Sequence, residues 1–236
     1  MAWLRLPAHV TLGLLSIVAA AMVQSCAATV PLKGVTGDVF PVLQGRARDC
    51  CNLIVKGPEQ EAAAQAAARL VGGDRVEVNG RRFTSDCSGL VRGVYAAQGI
   101  DVYGELGDLD GGNGVGRIYA HALKHGRIHY GPNIYPGDLV FFHNTWDFNQ
   151  DGFPNDPLTH VGVVEQVEVD GTVVFVSSVT KGIERYRMNL REPGRHNDGD
   201  GRIINDYMRR KWPGDPPATQ YLTGQLFAAF GTLINR

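Results

Sequence analysis

A cysteine and a histidine are the side chains in this sequence that are best placed to do chemistry. Cys87 follows Asp86, a good helix-capping residue, and begins a segment whose pattern predicts a helix. Backbone N–H groups and the dipole at a helix N-terminus stabilise a thiolate, which is the nucleophilic form of cysteine. His160 opens a run of apolar residues that predicts a strand, and a sheet would hold its ring rigidly. The two residues suggest a thiol nucleophile with a histidine base; the alternative is that Cys87 is a small buried apolar side chain.

The elements that must position these two residues follow from caps, turns and hydrophobic spacing. Helices are predicted over residues 58–71, 87–98 and 115–125, each of which is followed by glycine. Short strands rich in β-branched and aromatic residues are predicted over residues 139–142, 161–167, 172–177, 183–188 and 202–207. The tail, residues 220–234, is predicted to be a closing helix, since apolar residues recur there at four-residue spacing. Helices followed by an antiparallel meander predict an α+β domain, with the N-terminal helices packed on a small sheet.

Composition excludes several classes of protein. The chain has 236 residues, of which 44% are hydrophobic, so it can build one core of ordinary size. It carries 23 Lys and Arg against 24 Asp and Glu, a formal charge of −1, which gives no basic excess for binding nucleic acid. Four cysteines in a chain of this length do not make a disulfide scaffold.

The N-terminal residues predict export. Residues 10–23 form an apolar run too short to span a bilayer comfortably but of the right length for a signal peptide. Val23 and Ser25 before Cys26 resemble a bacterial lipobox, so residues 1–25 are predicted to be a lipoprotein signal peptide and Cys26 the lipidated first residue. Ordinary cleavage near Ala27 or Ala28 is the alternative.

The mature chain then divides at a Gly-Pro boundary. Residues 26–57 are predicted to be a tether and residues 58–236 a single domain. The tether contains the vicinal pair Cys50 and Cys51, which is too strained for an easy mutual disulfide and has no assigned role.

Three motifs together resemble the NlpC family of bacterial cell-wall cysteine peptidases. They are residues 86–91 (DCSGLV), 136–142 (PGDLVFF) and 160–164 (HVGVV), within a resemblance that covers roughly residues 72–188. It implies a compact papain-like fold in which Cys87 is the nucleophile and His160 the general base. A cysteine that precedes the histidine matches this family and not its circularly permuted relatives.

The resemblance also implies a third polar residue that orients the histidine ring from the next strand. That residue is usually His and sometimes Asn or Gln, and alignment of residues 174–178 places Ser177 there. Serine has a shorter reach and holds an imidazolium less firmly. Three alternatives therefore stay open: a dyad bridged by water, another partner such as His143 or Asp156, or weak activity.

Two insertions separate Cys87 from His160 more widely than is common in the family. One, near residues 104–116, is acidic and glycine-rich and is expected to form a rim loop. The other, residues 144–158, has the spacing of the first part of an EF-hand calcium loop, with Gly152 at position six. Its candidate ligands are Asp147, Asn149, Asp151, the backbone carbonyl of Phe153, and Asn155. Position twelve is Leu158 instead of glutamate, so Asp156 is a candidate substitute; a solvated acidic loop is the alternative.

These features predict an exported hydrolase that cleaves amide bonds in peptidoglycan stem peptides through a thioester, in the family often after a γ-linked D-glutamate. No cofactor is expected to be needed for catalysis, and a structural Ca²⁺ is a candidate. The expected partners are peptidoglycan peptides and a membrane reached through Cys26, with no nucleic acid. The alternatives are a cysteine/histidine-dependent N-acetylmuramoyl-L-alanine amidase, a transferase that uses the same thioester, and a non-catalytic wall-binding lipoprotein.

Overall fold

The computed structural model describes residues 57–104 and 113–234. The signal peptide, Cys26, the tether with Cys50 and Cys51, and most of the insertion at 104–116 lie outside the described residues. The helices are α1 (Pro58–Ala68), α2 (Cys87–Ala96), α3 (Gly114–His125) and α4 (Thr223–Leu226). The strands are β1 (Glu77–Val78), β2 (Arg81–Arg82), β3 (Arg127–His129), β4 (Leu139–Phe142), β5 (His160–Val167), β6 (Val173–Val179), β7 (Gly182–Met188) and β8 (Phe227–Thr232). No helix within these ranges is long and apolar enough to cross a bilayer.

The main sheet has six antiparallel strands in the order β3-β8-β4-β5-β6-β7. Strands β4 to β7 form the predicted meander, and the α+β class is confirmed. The first pairing sets the position of the histidine, because His160 lies opposite Phe142 at the end of β4. Strands β1 and β2 form a separate hairpin at Asn79 and Gly80, as the sequence predicts.

Strand β4 is buried on both faces of the sheet, as its unbroken apolar sequence indicates. Leu139 and Phe141 pack in a core that includes side chains of α1, α2 and α3. Val140 and Phe142 pack in a second core with side chains of β6 and β8 and with Leu226 of α4. The sheet that carries His160 is therefore covered on both sides, which gives the histidine a rigid support.

Helix α2 is anchored to the sheet by a buried tyrosine. Tyr95 is fully buried, and its hydroxyl donates to the carbonyl of Gly137, 2.5 Å away, in the turn before β4. Helix α1 contributes small side chains to the same core, since Ala63 and Ala67 are fully buried. The alanine-rich face thus permits the close packing that its sequence suggests.

The prediction of a closing helix over residues 220–234 is wrong. Only Thr223–Leu226 is helical, and Phe227–Thr232 forms β8 between β3 and β4. Without β8, one edge of the buried strand β4 would leave backbone groups unpaired, which is costly in a core. Hydrogen bonding to the edge of β4 therefore has a larger effect on the structure of the tail than the helical tendency that its four-residue apolar spacing indicates.

Two other segments differ from expectation. Residues 202–207 do not form a strand; they make isolated bridges at Ile203 and Tyr207. The end of the predicted rim loop at 104–116 belongs instead to α3, whose first turn is capped by Asn113. The Asn113 side chain accepts the N–H of Gly116 at 2.8 Å, so the cap determines where the helix begins.

We expect Gly89→Ala to destabilise the fold, whereas the matched change Gly116→Ala does not. Each glycine donates its N–H to the capping side chain of its helix. A Cβ at Gly89 would lie 1.9 Å from the carbonyl oxygen of Thr84, but at Gly116 the nearest atom is 3.5 Å away. Overpacking should lower the free energy of unfolding by about 1–3 kcal/mol for Gly89→Ala. The better helix propensity of alanine should leave Gly116→Ala unchanged or up to ~1 kcal/mol more stable.

Denaturant titration followed by circular dichroism measures both variants. A wild-type midpoint for Gly89→Ala would contradict the tight contact with Thr84.

Candidate active site

The first turn of α2 presents Cys87. Asp86 caps this helix: its carboxylate accepts the N–H of Gly89 and the hydroxyl of Ser88, each at 2.7 Å. Cys87 is the first residue of the helix, carries a free thiol, and is partly buried against the core between helices and sheet. The capping interaction therefore holds the sulfur at the helix N-terminus.

The start of β5 lies against this turn. The backbone N–H of Val161 lies near enough to the sulfur of Cys87 to lower the pKa of the thiol, so the residue next to His160 lies beside the thiol. His160 itself is 9% exposed, and the ring of Phe142 lies 6.3 Å from its ring, centroid to centroid. The packing of α2 on β5 thus brings together two residues that lie far apart in the sequence.

Ser177 on β6 contacts the histidine directly. Its Oγ lies 2.7 Å from Nε2 of His160 and 2.7 Å from the carbonyl oxygen of Val161, and the side chain is fully buried. A hydroxyl has one proton, and the carbonyl of Val161 can only accept it. The Ser177 oxygen is then free to accept a proton from Nε2–H of His160, which leaves Nδ1 as the basic nitrogen.

The other proposed partners of the histidine bind elsewhere. His143 accepts the N–H of Leu158 through Nδ1 at 2.9 Å, and Asp156 accepts the N–H of Asn149 at 3.0 Å. No water is required to connect Ser177 with His160 at 2.7 Å. The side chain that contacts His160 directly is therefore Ser177, the residue that the alignment selects.

Burial opposes a charge on Cys87. It is the main cause that raises the pKa of the thiol to about 11, and the carboxylate of Asp86 raises it further. Hydrogen bonds from the N–H groups of Val161, Ser88 and Cys87 act in the opposite direction. The N–H groups at the helix terminus thus favour the thiolate, as expected, but desolvation is the larger influence and favours the neutral thiol in the resting site.

Burial also opposes a charge on His160. It lowers the pKa of the imidazole to about 4, while the nearby Asp86 carboxylate raises that pKa by a smaller amount. Between about pH 4 and 11 the site accordingly holds a neutral thiol beside a neutral imidazole. A neutral imidazole is the form that can accept a proton.

Both residues line a cleft of about 810 Å³. Its wall includes several residues whose role the sequence did not indicate: Asp74, Thr145, Thr159, Ser178, Lys181, Met208 and Arg210. Thr159 and Ser178 could have been predicted to line the site, because each is adjacent in sequence to a predicted site residue. Nothing in the sequence near Lys181 or Arg210 links them to the site. Trp146 also lines the cleft and is 50% exposed.

The predicted calcium ligands form a compact loop beside the cleft. Asp147 accepts the N–H of Gly152, and the Asn155 amide donates to Asp151 at 2.7 Å. The carbonyl of Phe153 accepts the N–H of Asn155 at 3.0 Å. Across residues 57–104 and 113–234, no three His, Cys, Asp or Glu side chains come together as a metal site made of those residue types alone.

Comparison of the chain with protein-family models, with curated proteins and with solved structures gives no match. The function is therefore argued from the chemistry of the site.

Alkylation of Cys87 by iodoacetamide should accelerate about tenfold for each pH unit from roughly pH 7 to 10, because only the thiolate reacts. We expect Asp86→Asn to shift this profile to lower pH, since removal of the carboxylate lowers the pKa of the thiol. Asparagine is an equally good helix cap, so the fold should be retained.

Mass spectrometry of the peptide that contains Cys87 measures this rate separately from the other cysteines. A wild-type rate that is already maximal near pH 6 would show a preformed thiolate and contradict the expected profile.

Proposed function

We propose that this chain is an exported cysteine hydrolase of the NlpC type, with a papain-like fold, that cleaves amide bonds in peptidoglycan stem peptides. The observation that carries the proposal is the packing of the α2 N-terminus on the start of β5, where Cys87 and His160 line one cleft and the buried Ser177 contacts His160. A nucleophile, a base and a residue that orients the base are the parts that this chemistry requires.

In the first step, Nδ1 of His160 takes the thiol proton of Cys87 as the sulfur attacks the carbonyl carbon of the substrate. The carbonyl π electrons move onto oxygen and form a tetrahedral oxyanion. The N–H groups of Cys87 and Ser88 lie close to the sulfur and are suitable donors to that oxyanion. A neutral thiol and a neutral imidazole can react in this way because the proton moves to His160 while the sulfur attacks. No stable thiolate has to form beforehand.

In the second step, the imidazolium of His160 returns its proton to the leaving amine, and the C–N bond breaks. The product is a thioester on Cys87. Water then attacks the thioester, His160 accepts a proton from it, and the sulfur leaves and is reprotonated. Ser177 keeps Nε2 protonated throughout, so the same nitrogen, Nδ1, serves both steps.

Two exposed cations of the cleft wall support a substrate that carries carboxylates, while Asp74 and Asp86 in the same wall balance them in formal charge. Lys181 and Arg210 line the cleft and are exposed, and a cation there gives charge-assisted hydrogen bonds to an acidic peptide. Stem peptides of peptidoglycan have free carboxylates. With a formal charge of −1 over the whole chain, these local cations matter more than any long-range attraction to an anionic wall.

The proposal includes export of the protein and its attachment to a membrane. The apolar run of residues 10–23 and the lipobox-like residues before Cys26 support export and a lipid anchor. A tethered enzyme meets the wall at high local concentration.

A non-catalytic wall-binding protein is a second candidate. The thiol pKa of about 11 favours it, because a resting thiol is a poor nucleophile unless the base acts during attack. Digestion of the wall distinguishes the two.

We expect the full-length chain to release fragments from purified peptidoglycan that have gained one water per cleaved bond within the stem peptide. Cys87→Ala should reduce this activity by ~10³-fold or more, because it removes the nucleophile. Mass spectrometry of the fragments measures the products. Free stem peptides together with bare glycan strands would instead identify an amidase of the sugar–peptide bond.

The control is a melting temperature for Cys87→Ala equal to that of wild type, which shows that the variant is folded. Equal fragment release, or none, from both proteins would refute a hydrolase that depends on Cys87.

Ser177→Ala should lower kcat with little change in KM, because Ser177 does not line the cleft but orients the base. The loss of one buried acceptor costs about 1–3 kcal/mol, which corresponds to a fall in kcat of roughly 5- to 150-fold. Ser177→Thr keeps the hydroxyl and should restore part of the rate. A purely structural role would instead lower the stability of both variants while nitrogen NMR still reported an unchanged Nε2–H tautomer of His160.

A further inference from the structure

Asp156 is, with Asp138, one of two buried carboxylates in the described residues that have an oxygen without a hydrogen bond. Asp156 is 2% exposed, and its Oδ1 accepts the N–H of Asn149 at 3.0 Å. Its second oxygen, Oδ2, is buried and makes no hydrogen bond. A buried anionic oxygen is strongly unfavourable unless a cation or donor approaches it.

The carboxylate of Asp156 lies inside the loop of residues 147–156, since the N–H that it accepts belongs to Asn149 of that loop. Asp147, at the beginning of the loop, also has one buried oxygen that makes no hydrogen bond, while its other oxygen accepts the N–H of Gly152 at 3.0 Å. Two carboxylates, one from each end of the loop, therefore each have an oxygen available.

Side chains at the middle of the loop converge as well. The amide nitrogen of Asn149 lies 3.1 Å from Oδ2 of Asp151 and 3.0 Å from Oδ1 of Asn155. The loop turns at Gly152, whose φ of 78° favours glycine. The side chains of Asn149, Asp151 and Asn155 thus meet one another, while those of Asp147 and Asp156 accept backbone N–H groups of the same loop.

We propose that residues 147–156 bind one Ca²⁺, with Asp156 supplying the carboxylate that Leu158 at position twelve lacks. Ca²⁺ accepts six to eight oxygens from carboxylates, amides, backbone carbonyls and water. Two of the donors here are asparagine amides, so the site does not depend on a cluster of carboxylates alone. This inference is independent of the peptidase proposal.

The loop is connected to the wall of the cleft. The backbone of Asp156 exchanges hydrogen bonds with Asn144, and Thr145 donates to the hydroxyl of Thr159, next to His160. Trp146, in the cleft wall, directly precedes Asp147. An ion in the loop would therefore stiffen that wall.

The test is calorimetric titration of CaCl₂ into the purified full-length chain after removal of metal with a chelator, together with the melting temperature. We expect one Ca²⁺ per chain and a melting temperature raised by at least about 3 °C at about 10 mM Ca²⁺, which is tenfold above the weakest affinities of extracellular calcium loops. Mg²⁺ at the same concentration should raise it less, because Mg²⁺ demands a stricter geometry.

Asp156→Asn and Asp151→Asn should each weaken Ca²⁺ binding by about tenfold or more, because each removes a charge but keeps the shape of the side chain. Asp151 is exposed, so its variant should fold even if Asp156→Asn does not. The matched control is Asp200→Asn, in the exposed acidic turn at residues 197–201, which should bind as wild type does.

Three results would overturn the site: no binding by wild type, wild-type affinity in both loop variants, or an equal loss in Asp200→Asn. These experiments measure Ca²⁺ binding and not activity. Absence of binding would therefore not contradict the proposed hydrolase, and absence of hydrolysis would not contradict the calcium site.

Discussion

The site depends on the packing of the first turn of α2 against the beginning of β5. The N–H of Val161, beside His160 at the start of β5, lies near the sulfur of Cys87 and lowers the pKa of the thiol. Around this contact, Asp86 fixes the helix N-terminus and Ser177 fixes the imidazole. Gly162 lets β6 approach closely enough for this, because a Cβ there would lie 2.5 Å from the ring of Phe175. The positions of the Cys87, His160 and Ser177 side chains therefore depend mainly on how the backbone elements that carry them pack together.

The same packing produces the electrostatic character of the site. A histidine and a cysteine held between a helix and a covered sheet lose most of their hydration, and burial is the largest influence on the pKa of each. The Asp86 carboxylate raises both pKa values, so its effects on proton transfer from Cys87 to His160 oppose each other and partly cancel. An acidic residue at the N-cap stabilises the helix. Here Asp86 does so without strongly favouring either Cys87 or His160 as the holder of the proton.

Local signals were sufficient for the elements that carry the site. The limits of β4 were predicted to the residue because four apolar residues follow a Pro-Gly turn, and α2 was predicted to begin at Cys87 because Asp86 caps it. The alignment that selects Ser177 depends on the alternation of side chains along β6, which does not change when the limits of the strand are misplaced by a residue or two. The prediction of a helix in the C-terminal tail is wrong because the structure of the tail depends on other parts of the chain. Strand β8 pairs with β3 and β4, and the spacing of apolar residues within the tail carries no information about that pairing. Lys181 and Arg210 were missed for the same reason, since they reach the cleft from a turn and from the C-terminal segment.

A serine in the third position has a specific physical consequence. With its one proton committed to the carbonyl of Val161, Ser177 can only accept from His160, so it selects the tautomer as firmly as an amide oxygen would. It carries no charge, however, and a neutral acceptor stabilises an imidazolium less than a carboxylate does. Burial lowers the pKa of His160 to about 4, and a neutral serine does not offset that loss of hydration, so the ring is oriented but its cation is poorly stabilised at rest. In the proposed hydrolase, an imidazolium formed during attack would have a strong tendency to give up its proton, which would favour protonation of the leaving amine.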